Sequence, residues 1–572
     1  MTGTSFRWAR IGLSLAAGDR YAPYYREVLE HAGLSADPIS KVDAASLADL
    51  DVVLLAGIGE VSPEGIEDLA LWLERGGSLV VSGSDWGLGS LIGVGPEAGP
   101  AGPRVLDRSP DDRLWPTGAT APRFFGGRLY HQGTAQTSIT VDGRFVGACR
   151  RPVGSGRALF VAPHVGQTVC QMQLGRSVEV DAIGPADGSA WLDDQKLRAE
   201  DGIALDFELD RHAVGDGSPP FFDEPHADAI KEVWIRAIVE AIEASGRATT
   251  MVWPWPRCAP AVAMLSVECE HFESDAVLRF QRMLTMIGAR PAWLVSPPGY
   301  SLDVYRQMRA WDHEVGLLFA GDDWVPWSDE HVKVQHMSLG RAAAVPTVVT
   351  IRPVDGRWRG WTQFYEAAEA AGARLSVSKG GRQPGTVGFS FGTCHPFFPL
   401  RRDGSAHLIA EAPYAIYMPG TVTSDGVADR LLERTLERGG CLHMVSKPEV
   451  ADDDALSASL RRLITLCKQS GMPFLLPQEL HEFERTRRSL RIYRHRHADS
   501  GSLVVVADNE IEDMTLLYIG PRTVAETRGR PVAAHPVAKF GTTMWRIDVT
   551  LHPKQQLEVR YALASTDRDT AA

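Results

Sequence analysis

Four short runs in the first third of the chain, residues 9–16, 51–57, 78–83 and 157–163, have the apolar pattern of strands. The run at 51–57 is wholly apolar, as expected for a parallel strand buried on both faces. Between them, residues 24–33 and 64–77 place apolar side chains at helical spacing and end on glycine. This alternation predicts a doubly wound α/β sheet. Residues 174–225 are polar and acidic and read as a long surface connection or lid, with Asp193, Asp194, Glu200 and Asp201 as a solvated face. A helix at 226–246 leads into a tryptophan- and proline-rich stretch suited to a domain seam.

Helix–glycine–strand units recur at 364–378 and 460–480, so the central region reads as a distorted (β/α) barrel. After residue 487 the pattern changes to short strands separated by turn signals, which predicts a small antiparallel β-sandwich. The expected division is 1–225, 226–487 and 488–566, consistent with several domains in 572 residues.

Composition narrows the partners. The chain is 44% hydrophobic and 23% charged, with a net charge of −13 and no basic run. That disfavours nucleic acid and anionic membranes. No stretch reaches the ~18 apolar residues needed to span a bilayer. The start lacks a secretory h-region, and the seven cysteines are dispersed without paired spacing. Reduced thiols and a cytoplasmic location are therefore expected.

Candidate chemistry centres on residues 264–274, MLSVECEHFES. Apolar residues precede Glu268 and Glu270, which at i and i+2 leave one face of a strand. Paired carboxylates at a strand end suit a base beside a metal ligand, or two acids acting on a glycosidic bond. Cys269 between them points to the opposite face.

The segment resembles the first motif of the polysaccharide deacetylases, in which one aspartate is the base and the next binds a divalent metal. Glu268 and Glu270 fall at those positions. Residues 288–300 resemble the family's second strand. Residues 312–324, DHEVGLLFAGDDW, resemble its Gly-His-Glu segment through His313, Glu314 and Gly316. Leu318 stands where a metal-binding histidine is expected, and Asp322 where a second is usual.

A narrower resemblance covers about the whole chain. It is to uncharacterised bacterial proteins that join a class I glutamine amidotransferase-like domain to a deacetylase-like domain. RWRGW at 357–361, SKG at 378–380 and GFSFGTCHPFFP at 388–399 carry it. Val354 and Lys447 occupy positions where that pattern has histidine. The elbow at 83–89, GSDWGLG, has no cysteine, and Ser84 lacks a nucleophile-elbow motif.

The frame of the motifs is kept while the metal-binding residues are replaced. Leucine and valine offer no ligand atom, and an ammonium has no lone pair. Zinc needs about three protein ligands and an open position. The expected function is a carbohydrate-related deacetylase homologue without its metal site, binding a sugar or glycan, or partnering an active homologue or a second copy of itself. Two alternatives stand beside it. One is an active deacetylase or glycosidase using Glu268 as base, with Glu270 on a divalent metal such as zinc or on a charge. The other is a structural assembly protein. Expected ligand contacts are His313, Asp322, Arg352, Arg357, Trp358, His395 and His443. No cofactor is expected unless the protein is active. Arg357 is the cation expected on Glu268 or Glu270, neutralising buried acid in place of a metal.

Overall fold

The computed structural model describes residues 7–108, 112–270, 273–321, 327–496, 500–520, 523–527 and 530–563. The chain divides into two compact units whose segments interleave in sequence. One comprises Met1–Thr168, Ala229–Cys258 and Phe483–Ala572; the other comprises Val169–Asp228 and Ala259–Glu482.

In the first unit the anticipated strands form at Ile11–Leu15, Val52–Gly57, Ser78–Gly83 and Gly156–Val161 and pair in parallel. Helices Pro23–Ala32 and Pro63–Glu74 follow the first two. The sheet does not stop there. Phe145–Val153, Gln136–Val141, Arg104–Arg108 and Arg123–Phe124 extend it antiparallel, and Asp37–Pro38, parallel at the other edge, completes nine strands. The sequence conceals part of this extension, because Arg104–Arg108 and Gln136–Val141 are short and largely polar outside Leu106, Ile139 and Val141.

The strands expected near the C-terminus form two antiparallel sheets, one of them containing Thr249–Val252 from the seam. Trp8, Val252, Leu503, Leu516, Ile547 and Tyr561 share one hydrophobic core there. All seven cysteines are free thiols. Among the described residues no helix is long and apolar enough to cross a membrane.

The second unit is built on eight short parallel strands. In chain order they are Val262–Cys269, Ala292–Val295, Glu314–Phe319, Thr350–Pro353, Leu375–Ser376, Ala410–Glu411, Ile416–Tyr417 and Cys441–Ser446. The first six neighbour one another in that order, and the eighth pairs with the first on its other side. The sixth and seventh strands, at opposite edges, are separated only by residues 412–415. Ala412 N–H donates to Ser376 O at 2.9 Å and Ala415 N–H to His443 O at 3.1 Å. The sheet therefore curls back on itself through one segment of chain.

Every residue of Val262–Cys269 is buried, which explains its near-continuous apolar run. Its neighbours alternate with helices that have clear boundaries. Ser424 caps Asp425–Arg438 and Gly439, at φ 63°, ends it. Residues 174–225 contain little regular structure, and Asp193 and Asp194 are exposed as expected, but the segment is not solvated throughout. It bridges by backbone to this unit at Val178–Gly360, Arg198–Arg357 and Phe222–Gly388. Glu200, expected on a solvated face, is 2% exposed. It accepts from Arg382 N–H at 2.7 Å and Thr386 Oγ–H at 2.5 Å, so its burial is offset by hydrogen bonds.

In the first unit Arg488 ties together two acids. It donates to Glu27 at 2.6 and 2.9 Å and to Glu484 at 2.6 Å. Burial alone would push the Glu484 carboxyl up, but Arg487 and Arg488 outweigh it and hold the group at about 2. Arg488→Met removes a partner from two buried carboxylates and is expected to cost ~3–5 kcal/mol in urea unfolding at pH 7. The depressed Glu484 makes its contribution above the ordinary carboxylate range and loses it as pH falls towards 2, so the deficit should shrink in acid.

Candidate functional site

The carboxyl ends of the parallel strands are where such folds place their chemistry. Glu268 is the penultimate residue of the first barrel strand and is 1% exposed. Arg352, in the fourth strand and fully buried, donates from Nε to Glu268 Oε1 at 2.5 Å. Tyr417, in the seventh strand, donates its hydroxyl to Glu268 Oε2 at 2.9 Å. Burial would push the Glu268 carboxyl up. The Arg352 guanidinium, then Arg382 and Lys447, outweigh it and hold the acid below the usual carboxylate range.

Glu270 follows one residue beyond the strand and is partly exposed. Lys447, just past the eighth strand, places Nζ 2.8 Å from Glu270 Oε1. Burial opposes the Lys447 charge, but the Glu270 hydrogen bond and the Glu268 charge raise its pKa. The cations on the two acids are thus Arg352 and Lys447, in place of the expected Arg357. Arg357 is buried, bridges by backbone to Arg198, and its charge acts on Asp355.

Tyr414, in the segment that closes the sheet, and Tyr417, in the seventh strand, each carry a guanidinium. Arg352 stacks on the Tyr414 ring at 4.4 Å and Arg382 on Tyr417 at 5.4 Å. Arg382 also donates to Asp355 Oδ1 at 2.6 Å and to Asp355 O at 2.8 Å. Asp355 has φ 57°, so a strained turn holds this carboxylate.

The other expected contacts lie elsewhere. His313 precedes the third strand, and through Pro291 its level in the sheet corresponds to Leu265, three residues below Glu268. That is about 10 Å along a strand. Its Nδ1 accepts from Trp293 Nε1–H at 3.1 Å, and burial pulls it down to about 4. Its neighbour Glu314 is pushed up to about 7 by burial and accepts from Thr350 Oγ–H at 2.5 Å. His443 pairs with Met264, below the acids. It bonds Ser266 Oγ at 2.9 Å and Ala412 O at 3.0 Å, and burial holds it neutral, at about 3.

Trp358 is fully buried, with the Lys379 ammonium group 4.0 Å from its ring centroid, so it presents no face for stacking on a sugar. His395 bonds Arg438 O at 3.1 Å. Asp322, like Asp323 and His271, lies outside the described residues. Cys269 is buried, and burial pushes its thiol up, away from the thiolate needed for attack.

Arg382 and Tyr417 were missed in the sequence. Arg382 sits just past the SKG element and Tyr417 in an unremarkable apolar run; neither spacing nor composition separates them from packing residues. Lys447 was visible only as a lost histidine.

Among the described residues, the donor set at Glu268 and Glu270 does not fit a divalent metal. Leu318 is buried beside Arg352 in the sheet, and Lys447 puts an ammonium against the one carboxylate in the ligand position. Among the described residues one other group has metal-ligand chemistry: Asp228, Cys394 and His395, with ligand atoms within 4.8 Å of one another. Asp228 accepts there from Thr393 Oγ–H and Cys394 N–H, both at 2.7 Å, and from the Cys394 thiol at 3.3 Å. Those bonds give the three residues a structural tie.

In the first unit, His164 Nε2 and Asp19 Oδ2 are 2.7 Å apart at the carboxyl ends of the parallel strands, another pair not anticipated. Ser84 Oγ is held by Gly57 O and Gly59 N–H at 3.3 and 3.2 Å.

No protein-family model matches the chain, and no curated protein does. Solved structures with partial likeness include a proposed polysaccharide deacetylase from Mycobacterium smegmatis. It is 13% identical at TM-score 0.32, with 41% of this chain and 93% of that chain covered. A CE4-family pseudoenzyme from Bacillus anthracis is 12% identical at TM-score 0.24, covering 38% and 65%. A β-galactosidase from Bacillus circulans is 15% identical at TM-score 0.23, covering 31% and 33%. At these values the likeness concerns only part of the chain.

Proposed function

We infer that this protein is a carbohydrate-binding homologue of the polysaccharide deacetylases that has lost metal-dependent hydrolysis and acts as a glycan-binding or partner subunit. The observation that carries this reading is the pair of ion contacts Arg352–Glu268 and Lys447–Glu270. The acid in the base position is locked in a hydrogen-bonded ion pair, and a lysine neutralises the acid in the metal position. A general base needs a free lone pair aimed at its proton donor. Glu268 has Arg352 on one oxygen and Tyr417 on the other. The motif frame at 388–399 and the strand that holds Glu268 are kept, so the fold of a site persists without its reaction.

The reading predicts no acetate release from acetylated oligosaccharides, with zinc, cobalt or nickel supplied, and no change in metal content on Glu270→Ala. Acetate release that requires added metal and disappears in Glu270→Ala would overturn it. Calorimetry with neutral and acidic mono- and oligosaccharides should detect binding; its absence at millimolar concentration across that panel would remove the ligand-binding half of the reading.

The ion pair itself is testable by unfolding. Arg352→Met leaves Glu268 buried and unmatched and should cost ~3–5 kcal/mol at pH 7, most of it recovered in the double variant with Glu268→Gln. In the single variant burial raises the folded-state pKa of Glu268 above the unfolded one, so its deficit should grow as pH rises through the carboxylate range.

A further inference from the structure

The surface segment of the second unit carries apolar side chains that its own fold does not cover. A Cβ on Gly184 would meet Ala190 O at 2.3 Å, so residues 183–185 and 190–192 lie against each other. Asp181 Oδ2 accepts from Gln195 N–H at 2.5 Å, so the two stretches run in opposite directions. Ile183 and Trp191 flank the Gly184–Ala190 contact and are 88% and 79% exposed. Val180, next to Asp181, is 75% exposed. Leu209 is exposed on the adjoining stretch. Ala186 N–H donates to Glu208 Oε1 at 3.4 Å, and Arg211 donates to Asp187 Oδ2 and Ser189 Oγ, both at 2.9 Å.

The backbone under these side chains is fixed. The Gln383 carboxamide accepts from Trp191 N–H at 2.5 Å and donates to Trp191 O at 2.7 Å. Gly385 N–H donates to Ser189 O at 3.1 Å. An indole presented on a fixed backbone loses little freedom when a partner covers it. Exposed apolar side chains gathered within a polar rim mark interaction sites.

The rim decides the partner. Between 179 and 209 the exposed acids are Glu179, Asp187, Asp193, Asp194, Asp206 and Glu208. Arg211 pairs with Asp187 and Arg198 with Asp194; among the described residues the other four have no ion-pair partner. Lys196 is the one remaining base of that stretch. A second copy of this chain would bring the same acids face to face, at a net charge of −13 on each copy, and like charges across an interface repel. Val180, Ile183 and Leu209 have no aromatic face on which a sugar ring could stack, whereas the side chains of a protein cover aliphatic groups well.

We propose that this surface docks a basic segment of a partner protein. Apolar side chains of that segment seat on Ile183 and Trp191, and its lysines or arginines face the unpaired acids. This rests on the partner-subunit half of the reading above and gives the partner's chemistry.

The test is fluorescence anisotropy of the full chain with three labelled short peptides, one of lysine and leucine, one of lysine and serine, and one of glutamate and leucine. The lysine–leucine peptide should bind about tenfold or more tighter than either control, and added salt should weaken it. The double variant Ile183→Ser with Trp191→Ser should weaken it by about tenfold or more, because two anchoring side chains are truncated. Both side chains are exposed, so the thermal midpoint should stay near that of the parent protein.

No binding of the lysine–leucine peptide, equal binding of either control, or binding unchanged in the double variant would overturn the proposal. A dimer seen by sedimentation in the parent and lost in the double variant would overturn it in favour of a second copy. Oligosaccharide binding lost in that variant would overturn it in favour of a glycan platform. The acetate-release and metal-content measurements that test the proposed function do not depend on this surface, so the two can fail separately.

Discussion

A carboxylate buried at 1% exposure cannot remain charged without a cation, and the strand ends of the second unit are organised around that constraint at Glu268. Arg352 answers it from the fourth strand, and its remaining bonds reach Val377 O beyond the fifth. Tyr417 answers it from the seventh strand. One acid therefore connects the first, fourth and seventh strands across the interior. Removing the cation would leave an uncompensated charge where no water can relieve it, so the arrangement is conditional on all three partners being present.

The chemistry follows from the same constraint. A metal at this position would supply positive charge to both acids at once. Here the charge arrives as a guanidinium and an ammonium anchored to neighbouring strands. Side-chain cations satisfy the electrostatics but provide neither an open coordination position nor an activated water.

The sequence disclosed the elements with strong periodicity. Residues 51–57 and 262–269 are nearly unbroken apolar runs because both faces of each strand are covered. The helices read at 24–33 and 64–77 were equally visible and form as Pro23–Ala32 and Pro63–Glu74. The antiparallel extension was not, since Arg104–Arg108 and Gln136–Val141 are short and mostly polar outside a few inward positions. Residues 174–225 read as solvated because acids usually are; Glu200 is an exception made by two hydrogen bonds from residues about 180 positions away. The paired acids were legible from spacing alone. Their partners were not, because whether Arg352, Arg357 or Lys447 meets a given carboxylate is decided by strand register, and register across a curled sheet is set by tertiary packing. His313 shows the same limit: two strands away in the sheet, it lies at the level of Leu265 and not of Glu268.

The most direct test of the account is a crystal structure of the protein grown with excess zinc. The account predicts Lys447 Nζ within hydrogen-bond distance of Glu270, Arg352 bonded to Glu268, and no metal between the two acids. A zinc ion coordinated by Glu270, with Lys447 displaced to solvent, would contradict it.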